Sequence, residues 1–264
     1  MPSKADKQKA SAMKPIFRNN LLSGKTLIGT VVTLPCAQTS EILAYTGFDW
    51  LWIDGEHSPL EMGEIQGILQ ATQGRCAGVV RIPSNDEVYV KKALDIGAAG
   101  LIAPHVDTLE IAQRLVQSAK YPPLGQRSIA AARAHGYGLY FADYLKHANE
   151  QIALIVQIEH VNGARNIESI LEVEGVDAVM IGPYDLSGSL GKPGEIDDPE
   201  VQDLIKRVQQ ACLKRKKPIG IFADSVDAGR RFLDQGFSLI AVGVDIMMLG
   251  KAAQQVLSGM RSKK

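Results

Sequence analysis

The chain carries eight short runs that are apolar and β-branched at almost every position. They are TLIGTVVTLP (26–35), FDWLWIDGEH (48–57), AGVVRIP (77–83), GLIAPHV (100–106), ALIVQIE (153–159), AVMIGPYDL (178–186), PIGIFA (218–223) and LIAVGVD (239–245). A strand with one wet face alternates polar and apolar residues, whereas a strand covered on both faces does not. Segments of helical period lie between the runs: 86–97, 108–119, 198–216, 225–236 and 246–260. Thr108, Asp198 and Ser225 are suited to cap three of them, and Gly236 to stop the fourth. Eight strand–helix alternations predict an α/β fold, a (β/α)8 TIM barrel, over residues 16–264. The competing doubly wound open sheet expects a Gly-x-Gly-x-x-Gly turn after its first strand, and TVVTLPCAQTS has no glycine. Segment 121–150 stands out as a long loop, a feature usually tied to function or subunit contact.

Lysine plus arginine equals aspartate plus glutamate, 29 each. No global field therefore invites nucleic acid or a membrane surface, and recognition must be local and directed at a small molecule. Cys36, Cys76 and Cys212 are odd in number and far apart, which suggests reduced thiols and a cytoplasmic protein. Residues 1–15 have lysines but no apolar core, and read as a disordered basic tail rather than a secretory signal.

In such a barrel the βα loops at the C-terminal ends of the strands build the working face. The runs end there on Asp54, Glu56 and His57, on Arg81, on His105, on Gln157 and Glu159, and on Asp185. One charged strand end means only that the strand has met water; several converging on one rim suggest a site. Glu159 and Asp185 end neighbouring strands. Two carboxylates facing each other repel unless a cation separates them, and hard oxygen ligands suit Mg²⁺ or Mn²⁺. They could also bind arginines, or act as a glycosidase pair. No lysine ends any of the eight runs, which argues against a Schiff-base aldolase. The loops FADSVDAG and GVDIMML are poor in the glycine-rich anion nests a phosphosugar enzyme needs.

IDGEHSP, RIPSND, ALDIGAAGLIAPHVDT, YPPLGQRS, VQIEHVNGARNIESI, EGVDAVMIGPYDLSGSLG and AVGVD resemble, in order, signatures of the HpcH/HpaI family of metal-dependent class II pyruvate aldolases. The likeness runs over residues 25–250. It implies a (β/α)8 barrel whose C-terminal helix is exchanged between subunits, commonly in a homo-hexamer. The implied reaction is reversible cleavage of a 4-hydroxy-2-oxo acid to pyruvate and an aldehyde, with oxaloacetate decarboxylation as a side activity. The resemblance gives Glu159 and Asp185 the divalent metal (Mg²⁺ or Mn²⁺, with Co²⁺ a further option). It gives Gln157 and Tyr184 the pyruvate pocket, Arg81 the enolate oxygen, His57 the role of base, and Asp95 the task of raising that base's strength. Tyr184 is larger than the residue many relatives carry there. Asp95 falls at a helix end before the fourth strand, at the far end of the barrel. Either an adjacent subunit supplies it or that placement is wrong.

Two other readings stand beside the aldolase. One is a carbon–carbon lyase or synthase of the citrate or acyl-CoA type on the same fold. The other is a non-catalytic barrel serving as a binding module.

Overall fold

In a computed structural model, which describes residues 16–261, each of the eight runs forms a strand. They are β1 (Leu27–Val32), β2 (Trp50–Asp54), β3 (Ala77–Arg81), β4 (Gly100–Ala103), β5 (Ala153–Ile158), β6 (Ala178–Ile181), β7 (Ile219–Ala223) and β8 (Leu239–Val244). All neighbours pair in parallel and in chain order, and β8 closes on β1 to complete the barrel. The basic segment 1–15 lies outside the described residues.

Two cores explain why the strands are apolar throughout. Trp50, Trp52, Val79, Ile102, Ile155, Met180 and Leu239 pack together inside the barrel. Leu51, Ile53, Val80, Leu101, Leu154, Val156, Val179 and Ile221 belong to a second core shared with the surrounding helices. Side chains alternate across a strand, so both sets of positions must be apolar when both faces are covered. The helix Ile16–Leu22 adds Phe17 and Leu21 to the inner core, and the Phe17 ring lies 6.1 Å from that of Trp50. Trp50 opens β2, so this helix covers the N-terminal end of the barrel and leaves the C-terminal mouth for chemistry.

The expected helices form over Glu87–Asp95, Leu109–Ala119, Pro199–Lys214, Val226–Asp234 and Asp245–Arg261. Thr108, Asp198 and Ser225 each accept a hydrogen bond from a backbone N–H of the first turn. Gly236 follows the Val226–Asp234 helix with φ +92°, as a left-handed stop requires. Two expectations need correction. Segment 121–150 is not one loop, because a 3₁₀ turn at Arg133–His135 and a helix at Phe141–Gln151 occupy much of it. That helix fully buries only Ala148, so its apolar period is faint. Asp185 does not end β6. The strand stops at Ile181, and Pro183, which has no N–H to give a sheet, begins the helix Pro183–Ser189 with Asp185 in its first turn.

The three cysteines are unpaired. No helix among the described residues is long and apolar enough to cross a membrane.

Candidate active site

The inner faces of β2, β3 and β5 turn polar at their last layer. Along β2 the inward series is Trp50, Trp52, Asp54; along β3 it is Ala77, Val79, Arg81. β2 and β3 are in register there, Asp54 opposite Arg81, so the two side chains meet at the mouth. Arg81 Nε and Nη2 donate to Asp54 Oδ1 and Oδ2 at 2.9 and 2.7 Å, a bidentate pair, and both residues are buried. Arg81 Nη1 lies 3.0 Å from Glu56 Oε2, and its guanidinium sits 5.0 Å from the centre of the Trp52 ring. Asp54 Oδ1 also accepts the backbone N–H of Glu56 and His57. Burial alone would push the Asp54 carboxyl up, but the hydrogen bonds and charge of Arg81 outweigh it and hold it below the ordinary carboxylate range.

The glycine in DGEH is required by this geometry. Gly55 N–H donates to the Arg81 carbonyl at 2.8 Å, and a Cβ at Gly55 would lie 2.7 Å from that same oxygen. Only glycine lets the loop fold back over β3, and the turn then carries Glu56 and His57 to the rim.

On the opposite side, β5 supplies Gln157 and, just past its end, Glu159, both buried. Gln157 Nε2 donates to Glu159 Oε2 in a short contact, while Gln157 Oε1 is buried without a hydrogen-bond partner and Glu56 Oε2 has its ion pair with Arg81. Gly182 makes room, since a Cβ there would lie 2.9 Å from Glu159 Cβ and 3.1 Å from Gln157 Nε2. His105 follows β4 with φ +51°, and its backbone N–H donates to Glu159 Oε1 at 2.7 Å. Burial raises the Glu159 carboxyl, and the charges of Glu56 and Asp185 push it the same way against the pull of His105. Burial likewise raises Glu56, against Arg81, His57 and His105. Ligand atoms of Glu56, His105 and Glu159 all lie within 4.8 Å of one another. Two desolvated carboxylates that resist ionising, together with the unpartnered Gln157 Oε1 beside them, form a donor set that fits a divalent cation.

A cavity of about 260 Å³ opens at this mouth, lined among others by Asp54, His57, Arg81, Gln157, Tyr184 and Asp185. The structure thus brings together His57, Arg81, Gln157, Tyr184 and Asp185, with Glu159 bonded to Gln157 beside them. Trp52, Phe222 and Val244 form apolar parts of the wall, and the Tyr184 and Phe222 rings stand 6.3 Å apart. The His57 side chain is 64% exposed, with Nε2 3.9 Å from Glu56 Oε2. Asp95 is not in this cavity. It ends the Glu87–Asp95 helix, where Arg127 Nη2 donates to it at 2.6 Å. The carboxylate this chain offers His57 is therefore Glu56. Sequence reasoning saw Asp54, Glu56 and His105 as charged strand ends but gave them no task. The β2–β3 register is the signal that assigns Asp54 to Arg81.

Comparison with known proteins extends the likeness beyond the fold. The sequence pattern of the HpcH/HpaI aldolase/citrate lyase family matches residues 30–252. The 4-hydroxy-2-oxovalerate aldolase of Rhodococcus jostii (strain RHA1) is 40% identical over 237 residues, 89% of this chain and 92% of that one. A hydroxypyruvate/pyruvate aldolase of Chromohalobacter salexigens is 41% identical over 240 residues, 90% of this chain and 94% of its own. The crystal structure of an HpcH/HpaI aldolase/citrate lyase family protein from Burkholderia cenocepacia J2315 superposes with a TM-score of 0.91 at 35% identity, covering 94% of this chain and all of that one. The matched stretch runs from β1 to β8 and takes in every strand end that contributes to the mouth, and the chain accordingly belongs to the HpcH/HpaI aldolase/citrate lyase family.

Proposed function

We propose that the chain is a divalent-metal-dependent aldehyde-lyase that reversibly cleaves 4-hydroxy-2-oxo acids to pyruvate and an aldehyde. The observation that carries this reading is the convergence of Arg81, His57, Gln157 and Asp185 on one cavity, with Glu159 fixed against Gln157. Relatives named as aldolases at 40 and 41% identity support it. At about 260 Å³ the cavity is at the small end for ligand sites, in keeping with three-carbon acids and short aldehydes.

Glu159 and Asp185 would hold the ion, Mg²⁺, Mn²⁺ or Co²⁺, which when bound supplies a Lewis acid for the keto oxygen. The remaining work falls to the chain's own side chains. Asp54 grips two edges of the Arg81 guanidinium, so its remaining N–H groups point in fixed directions. They offer positive charge where the enolate oxygen develops as the C3–C4 bond breaks, in a site where donors need no reorganisation. His57 takes the C4 hydroxyl proton as the electron pair of that bond passes to C3 and the aldehyde departs. Protonation of C3 then gives pyruvate. Glu56 Oε2 lies 3.9 Å from His57 Nε2. Gln157 has a free Oε1 for the substrate while its Nε2 is committed to Glu159. Tyr184 and Phe222 narrow the acceptor side. Loss of CO₂ from oxaloacetate yields the same enolate, so that side activity belongs to the same site.

Asp95 joins His57 in this scheme only across a subunit boundary, within a homo-oligomer, a hexamer. The C-terminal helix Asp245–Arg261 supports such an assembly. Only Asp245 is buried in it, and Leu249, Val256 and Met260 are 63, 70 and 82% exposed. A second copy packed on that helix would cover this apolar surface.

The test is a panel of short aldehydes offered with pyruvate, and of 4-hydroxy-2-oxo acids in the reverse direction, each with and without Mn²⁺. The reading requires metal-dependent pyruvate formation from at least one 4-hydroxy-2-oxo acid. Turnover of citrate-like acids alone would instead favour the citrate-type lyase.

A further inference from the structure

In the scheme above Arg81, Gln157 and Asp185 serve the pyruvate half of the substrate, which leaves Tyr184, Phe222 and Val244 as the wall against the aldehyde. Of the residues lining the cavity, only Arg81 and His57 can carry positive charge. Arg81 is already held by Asp54 and Glu56, and His57 has the hydroxyl proton to move. The acceptor wall therefore offers no cation to an anionic tail. The charges beside it have the other sign. Tyr184 lies in the first turn of the helix Pro183–Ser189, its ring 6.3 Å from that of Phe222 on β7. Asp224 follows the end of β7 directly, and its carboxylate accepts a hydrogen bond from the Tyr184 hydroxyl. Burial raises the Tyr184 phenol, and the charges of Asp224 and Asp197 push it the same way, so it stays a neutral donor. Both acids are exposed at the rim. Lys251 shares a separate cavity with Asp224 and does not line the mouth. With 29 basic and 29 acidic residues, the chain has no overall field to draw an anion past the two acids.

We propose that Asp224, which ties Tyr184 across the acceptor side, makes the site select uncharged aldehydes and reject those that carry a carboxylate, sulfonate or phosphate. This rests on the aldolase reading above and deepens it by naming the class of acceptor. An anionic tail entering beside Tyr184 loses water, gains no cation in return, and meets Asp224 and Asp197 as like charges. An uncharged tail meets neither cost. Its alkyl part packs on Phe222 and Val244, and a hydroxyl finds acceptors in the phenol oxygen and the Asp224 carboxylate. Discrimination by charge is separable from discrimination by length, since two aldehydes of one chain length can differ in the terminal carboxylate alone.

The test gives the full chain, with Mn²⁺ and pyruvate, either butanal or succinic semialdehyde, which has the same chain length and ends in a carboxylate. The kcat/KM for butanal should exceed that for succinic semialdehyde by on the order of tenfold, as one or two like charges near a protein surface impose. Asp224→Asn should narrow the gap about threefold or more, and Asp224→Lys, which supplies the missing cation, should narrow it further. Salt at about 0.5 M should also narrow it in the wild type, because exposed rim charges are screened. Each ratio is read within one preparation, so loss of folded protein cancels, and the salt series needs no variant. A wild type that uses both aldehydes equally, or prefers the carboxylate, overturns the inference and leaves the aldolase reading intact. A gap that neither Asp224 variant changes overturns the role of Asp224. Absence of aldol product from either aldehyde overturns the inference together with the aldolase reading beneath it.

Discussion

Replacing Asp54 by asparagine tests the geometry on which the mouth depends. Asp54 accepts four hydrogen bonds: two from Arg81 and two from the backbone of Glu56 and His57. An amide keeps one acceptor oxygen and turns its NH₂ toward groups that are all donors. Arg81 would stay buried with only Glu56 as a counter-charge. Breaking a buried ion pair by removing one partner costs about 3–5 kcal/mol, and the retained amide oxygen argues for the lower end, about 3 kcal/mol. In a chain of this size each kcal/mol moves the midpoint by roughly 2–4 °C, so Asp54→Asn should melt about 6–12 °C below the wild type. Turnover should fall by about 10²-fold or more, because a guanidinium free to rotate misses the developing charge. Calorimetry and a coupled pyruvate assay read both effects. A variant that melts within about 2 °C of the wild type and keeps its turnover would refute the idea that Asp54 aims Arg81.

Arg81→Lys keeps a charge but loses the planar fork, so aldol cleavage and oxaloacetate decarboxylation should both drop by about 10²–10³-fold; unchanged decarboxylation would remove Arg81 from the enolate role. His57→Ala should harm aldol cleavage far more than decarboxylation, since only the former moves a hydroxyl proton, and equal losses would mean the residue organises the site instead. Light scattering should find an oligomer for the intact chain and a smaller species when it is truncated before Ile246, and a fully active monomer would contradict the shared-site scheme. Burial lowers the Lys120 ammonium to about 8, against roughly 10.4 in an unfolded chain. Between those values the unfolded state holds more protons, so stability should rise with pH by on the order of 3 kcal/mol relative to Lys120→Met, and parallel stability curves would refute it.

The strands were legible because both of their faces are buried: Trp50 and Trp52 inside the barrel, Leu51 and Ile53 outside, leave no polar position to blur the run. One helix that went unread has little to bury. Ala37–Tyr45 buries only Ser40 and Ala44 and leaves Ile42 and Tyr45 exposed, so its apolar pattern points the wrong way. Reading AVMIGPYDL as one strand failed at Pro183, which starts a helix and moves Asp185 into its first turn. Glu56, His57 and Arg81 could be named from strand ends, but the Asp54–Arg81 grip depends on register between strands, which composition does not carry. The Asp95–Arg127 pair joins residues 32 apart through a segment taken for loop, and no local pattern announces it. Asp245 was likewise missed. It accepts from Thr33 and Leu34 and ties the start of the last helix to β1.

The most direct test of the whole account is pyruvate release from a 4-hydroxy-2-oxo acid by exhaustively chelated protein, followed while Mn²⁺ is added back. Turnover should be near zero at the start, rise with saturable occupancy of one ion per mouth, and stay low throughout in Glu159→Gln. Full turnover before any metal returns would contradict the account.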